Sequence, residues 1–186
     1  MGISCPHDEG IMNQLREAYG RVVYTYTTHL KKMNSLDKYN RYLKLVKIGL
    51  SAISTGGFLN LVTFDNIYIT WIGGICSTIL LFLNLYFKEF NLSEQSKQHR
   101  IAADNLWLIR EKYISLMTDF NGLSAAEIIL KRDELLKLTY DVYKKAPKTD
   151  EDSYHKAQKA LKSEDEQFFS PEEIDKMLPL HLRIKS

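Results

Sequence analysis

Charge is what the middle of this chain lacks. Across the 40 residues 48–87 the only charged side chain is Asp65, where the overall 26% charged content would place about ten. Proline is nearly as scarce: Pro6, Pro147, Pro171 and Pro179 are the only four, so residues 7–146 contain none. Outside the charge-poor region that stretch has glycine only at Gly10, Gly20 and Gly122, a composition that favours long helices. No segment alternates apolar and polar residues with period two, which removes the usual strand signal. Two cysteines, Cys5 and Cys76, are too few for a disulfide framework, and Cys76 falls inside the apolar region. The five histidines (His7, His29, His99, His155 and His181) show no metal-ligand spacing, and there is no phosphate loop or nucleophile elbow. The sequence therefore offers no catalytic, cofactor-binding or metal residues, and an enzyme is not expected. A net charge of only +2 excludes a protein that holds polyanions by bulk charge.

What is present is an apolar region of membrane dimensions. Residues 48–64 and 67–87 each match the roughly 17–25 residues that cross a hydrocarbon core. Both are too long and too apolar to be two buried helices of so small a soluble domain. The first begins too far into the chain, behind a polar N-terminus, for a secretory signal. Met1-Gly2 lacks the Ser or Thr at position 6 that myristoylation requires, since Pro6 stands there. Only residues 65–66 separate the spans, so a tight hairpin is expected. Lys31, Lys32, Lys38, Arg41, Lys44 and Lys47 precede the first span, and Lys88, Lys97 and Arg100 follow the second, whereas the turn has no base. The positive-inside rule then puts both termini in the cytoplasm, Asp65 outside, and Lys44, Lys47 and Lys88 at the inner interface. Tyr42, Tyr86 and Phe90 suit the inner boundary, and Phe64, Tyr68 and Trp71 the outer one.

Small and weakly polar residues recur through the spans at helical spacing. Gly49, Ala52, Gly56, Asn60 and Thr63 form one stripe, and Thr70, Gly73, Ser77 and Asn84 another. A turn centred on residues 65–66 would set Gly57 beside Gly74 and Ser54 beside Ser77. These stripes either pack helices closely or line a pore shared by several copies, and the residues alone leave both open. Neither span carries a deep ionisable group, which disfavours a proton relay or coupled pump.

The flanking helices carry seams. Leu15, Tyr19, Val22, Tyr26, Met33, Leu36 and Leu43 recur at about 3.5-residue spacing, with a polar slot at His29 or Leu30. His99, Ala102, Leu106, Ile109, Tyr113, Leu116 and Phe120 form the matching seam, so the hairpin is expected to continue as paired helices with Met33 opposite His99. Asn91 with Glu94 is a helix-start signal that allows a break after the second span. Ser124 with Glu127 reads as a capping box for a helix ending before Pro147, with Ile128, Leu135, Leu138 and Val142 as its apolar face. A short helix is expected around residues 154–161, and a last one capped by Ser170 with Pro171 at its first position. The predicted organisation is residues 1–47, a cytoplasmic helix; 48–87, the hairpin; 88–123, a helix pairing with the first; and 124–186, cytoplasmic helices and a tail. The fold class is an all-α membrane protein.

This layout, with Ser93-Glu94-Gln95 after the spans and the tail segments 146–149, 154–161 and 169–175, resembles the SLATT family. Its members are the SMODS- and SLOG-associating two-transmembrane effectors of bacterial defence systems. The tail is similar to a subgroup linked to reverse-transcriptase defence loci. The resemblance implies an inner-membrane homo-oligomer that forms a pore or disrupts the membrane once a partner enzyme senses infection, killing or arresting the cell. It implies no catalytic residues and no cofactor. The partner would be a nucleotide-signal synthase or a reverse transcriptase encoded nearby. Direct nucleic-acid binding is not expected, because bases this close to a bilayer meet anionic lipid first. The alternative is a membrane-anchored helical scaffold that recruits a cytosolic partner through the helices after Ser124.

Overall fold

A computed structural model describes residues 6–63 and 66–183, with side chains from residue 8 onward. The expectations for Cys5, Phe64 and Asp65 lie outside the described residues. Among those residues there is no strand. The spine is α1 (Pro6–Thr63), a single helix of 58 residues, which at 1.5 Å per residue is about 87 Å long. Nothing interrupts it, because proline is absent after Pro6 and its glycines keep helical backbone angles.

Two helices run back along α1. The first, α2 (Ile67–Glu89), starts at Asn66, whose side chain accepts the Tyr68 N–H at 3.1 Å. The second, α3 (Leu92–Thr118), starts at Asn91, which accepts the Glu94 N–H at 3.1 Å. The Asn91 cap is what separates them, and the chain bends at Phe90 rather than continuing as one helix. After a 3-10 turn at Phe120–Gly122, α4 (Ala125–Lys145) opens on the Ser124–Glu127 capping box and packs on α3. α5 (Glu151–Ser163) crosses α1, and α6 (Pro171–Met177) opens on a second capping box at Ser170.

Among the described residues the buried apolar side chains gather into a core at the end of α1 away from the hairpin. Ile11, Leu15, Ala18 and Val22 of α1 meet Leu106, Ile109, Tyr113 and Leu116 of α3, and Ile128 and Leu135 of α4 close the cluster. Burying a Leu or Ile side chain in this way contributes roughly 1.5–3 kcal/mol. Leu138 and Val142 pack against its edge. α5 lies close to α1 because its inward residues, Ala157 and Ala160, are small and fully buried. Tyr154 stacks on Tyr24 at 6.0 Å between centroids, and Lys32 and Lys31 pair with Asp150 at 2.6 Å and Glu166 at 2.5 Å.

The hairpin has no comparable core. Phe58, Val62, Tyr68, Trp71, Leu81, Phe82 and Leu85 all stand exposed around it. Only 11% and 6% of the most apolar windows of the two long helical stretches are buried. A core helix of a soluble protein would be mostly covered, so this apolar surface matches the bilayer as solvent.

Candidate functional site

The two spans touch through their smallest residues. A Cβ built on Gly57 would stand 2.6 Å from the Gly73 Cα, and one on Gly73 would stand 2.7 Å from the Gly57 Cα. Backbones this close exclude any side chain at either position. The Ser54 and Ser77 hydroxyls meet across the same contact. Towards the turn, Asn60 is only 6% exposed, and its amide donates to the Asn66 carbonyl at 2.7 Å and to Thr70 Oγ1 at 3.3 Å. Asn60 thus ties the end of α1 to the start of α2 and satisfies its own buried amide there.

The expected Ser54–Ser77 pairing is present, but Gly57 meets Gly73 rather than Gly74. Gly74 has open space around it. The shift of one residue follows from the turn, where Asn60 engages the Asn66 carbonyl and Thr70 and so centres the pairing on that clasp.

The nine small or polar span residues therefore divide. Asn60, Thr70, Gly73 and Ser77 belong to the contact between the two spans. Gly49, Ala52, Gly56, Thr63 and Asn84 lie on the hairpin's outer surface. A Cβ on Gly49 or Gly56 would meet nothing within 4 Å. Gly49, Gly56 and Thr63 are seven residues apart, two helical turns each, so they mark one shallow track along α1. The Thr63 hydroxyl donates to the Leu59 carbonyl at 2.9 Å and the Thr55 hydroxyl to the Ser51 carbonyl at 2.9 Å, which satisfies both donors within their own helix.

At the other end of the hairpin, charge and aromatic rings return together. Lys47 stands 5.6 Å from the Phe87 ring centroid, Tyr86 stacks on Phe90 at 4.9 Å, and Tyr39 meets Phe87 edge-on at 6.3 Å. Lys44 and Lys88 are exposed beside them.

Between the hairpin and the core, His29 of α1 faces His99 of α3. Their Nδ1 atoms are 2.8 Å apart and each residue is 3% exposed. One ring donates its Nδ1 proton and the other accepts it, so the accepting ring is neutral, and burial disfavours a charge on either. Burial lowers His29 to about 4, with His99 beside it as the second cause. Burial also lowers His99, and Lys32 adds to that while Asp150 opposes it. The expected partner of His99 was Met33; the partner is His29, one helical turn earlier. The signal is the slot that interrupts the α1 seam at His29 or Leu30, which the structure assigns to His29. Next to this pair Ser96 donates to Asp37 at 2.6 Å.

A cavity of about 440 Å³ lies between α3 and α4. Ile101, Leu108, Leu138 and Val142 give it apolar walls, with Lys112 and Lys145 at its edge. Among the described residues no three His, Cys, Asp or Glu side chains converge as metal ligands.

No curated protein and no solved structure matches the chain. The two-span hairpin, the paired helices beyond it and the capped tail instead coincide with one family model, that of the SMODS and SLOG-associating 2TM effector domain, family 4. The match covers residues 11–173, from the first core residue of α1 to the capping box of α6, and the chain belongs to that family of two-transmembrane effectors.

Proposed function

We propose that this chain is a bacterial defence effector that oligomerises in the inner membrane, with both termini cytoplasmic, and opens a pore when a partner sensor is triggered, killing or arresting the cell. The observation that carries the reading is the open track of Gly49, Gly56 and Thr63. The hairpin spends Gly57 and Gly73 on its own closure and leaves a second set of small residues facing outward. In lipid, where apolar surface gains nothing by leaving the solvent, small residues favour association by letting another helix approach. One hairpin cannot enclose a water-filled path, so several copies are required. The partner is a nucleotide-signal synthase or, by the similarity of the tail, a reverse transcriptase.

The test separates the two sets of glycines. Gly56→Leu with Thr63→Leu leaves the hairpin intact and abolishes ion flux, read as depolarisation in cells that also express the partner or as dye release from liposomes. Gly57→Leu breaks the hairpin itself and lowers the amount of inserted protein. Full flux from the Gly56→Leu, Thr63→Leu variant would sink the pore reading.

A scaffold is the second reading, favoured by the cavity between α3 and α4 and by the exposed Phe168, Phe169, Met177 and Leu180 of the tail. A scaffold keeps its partner when the outer track is filled and loses it when Leu108→Asp disrupts the α3–α4 cavity.

A further inference from the structure

The bend between α2 and α3 opens a cleft of about 130 Å³ against α1, well above the roughly 10–15 Å³ that admits one water. Asn40, Lys44 and Lys47 of α1 line one side, and Phe87, Phe90 and Ser93 the other. No Asp or Glu is among its lining residues, and neither lysine makes an ion pair among the described residues. Lys44 and Lys47 are three residues apart and so share one face of α1. Phe87 holds the Lys47 ammonium from below by its ring face. The cleft sits where the charge-poor run of residues 48–87 ends, at the depth where a bilayer changes from acyl chain to phosphate.

From these features we infer that the cleft is a binding site for one phosphate-bearing group, supplied by an anionic phospholipid headgroup. Two unpaired ammonium groups supply the charge, and Asn40 and Ser93 add neutral hydrogen-bonding groups. Phe87 and Phe90 form an apolar floor against which the glycerol and first acyl carbons lie. A lipid held there bridges α1 and the bend between α2 and α3. The inference rests on the membrane placement proposed above, and it concerns a particular site rather than a general attraction of bases to the surface.

Lys88 provides the control, because it is exposed at the same interface but does not line the cleft. The full-length protein in a neutral detergent is titrated with phosphatidylglycerol, with phosphatidylcholine, or with inorganic phosphate, and lipid retained is read by native mass spectrometry alongside the melting temperature. The expected result is retention of phosphatidylglycerol, with a raised melting temperature, that falls several-fold in Lys44→Gln with Lys47→Gln and is unchanged in Lys88→Gln. Equal loss in Lys88→Gln would reduce the site to diffuse surface charge and overturn it. Equal stabilisation by phosphatidylcholine would overturn the need for an anionic headgroup. Stabilisation by inorganic phosphate alone, with no lipid retained, would overturn the lipid source and leave a soluble anion site. If the double variant still inserts and conducts while losing the lipid, the pore reading stands whatever becomes of the cleft; a protein that fails to insert would instead undo the placement itself.

Discussion

Protonating either ring of the His29–His99 pair would place a cation in a contact nearly closed to water, with Lys32 close enough to add to the penalty. The folded state therefore binds protons less readily than the unfolded chain: His29 titrates at about 4 rather than 6.5. Stability from this pair is fully present above about pH 6.5 and is lost as the pH falls towards 4, a total on the order of 3 kcal/mol for His29. The melting temperature of the solubilised protein should fall between pH 7 and pH 5. In the His29→Asn, His99→Asn double variant that fall should flatten. An unchanged slope would assign the pH dependence to other groups. The sequence left the slot in the apolar seam at His29 or Leu30, and it could not show that a second histidine fills the same gap. Seam spacing fixes which side of each helix faces inward, whereas the axial offset between two helices is set by side-chain volumes and by the turn that joins them. The same limit produced the one-residue difference at Gly73, where the Asn60 clasp decides the offset.

Elements are where local sequence was most legible. Asn91 with Glu94, Ser124 with Glu127, and Ser170 with Pro171 and Glu173 each satisfy the donors of one helix start, a requirement met within four residues and independent of the rest of the fold. α5 was less legible: its expected core of residues 154–161 is helical, but the helix runs Glu151–Ser163 because Asp150 caps it. Asp150 accepts the Ser153 N–H at 3.0 Å and receives the Lys32 ammonium at 2.6 Å. The Lys32 hydrogen bond first, then Ser153, holds the Asp150 carboxyl well below the usual carboxylate range. Which surface α5 covers depends on Lys31 and Lys32, more than a hundred residues away, and no local pattern in a polar segment reports that. Asp150→Ala removes the cap and the cross-link to α1 together. It should cost about 1–2 kcal/mol, most of it from the cap because the ion pair is partly exposed. Limited proteolysis should then cut first between α4 and α5, with the α1–α3 core still protected; a pattern unchanged from the parent protein would show that α5 is held by Ala157 and Ala160 alone.

On the scale of the whole molecule, two compositions make two structures on one spine. α1 carries a covered seam through the core and a bare apolar surface through the hairpin, and its charges stop where the second begins. That transition was legible because a bilayer imposes a length and excludes charge, and both are properties of the linear sequence. The division of the small residues into a closed contact at Gly57 and Gly73 and an open track at Gly49 and Gly56 was not, since helical spacing groups residues onto a face without saying where the neighbouring helix stands. The distribution of bases on either side of residues 48–87 makes one further statement, about direction. Lys44, Lys47 and Lys88 gather at one end of the hairpin while the turn has no base, so the turn should cross the membrane and the helical body should remain in the cytoplasm. In a Cys5→Ser, Cys76→Ser background, Asp65→Cys should react with a membrane-impermeant maleimide in intact spheroplasts. Leu130→Cys, on the exposed face of α4, should react only after the membrane is opened. The reverse pattern would invert the orientation. It would also remove the α3–α4 cavity from reach of any cytosolic sensor, so this one measurement constrains where the trigger must act.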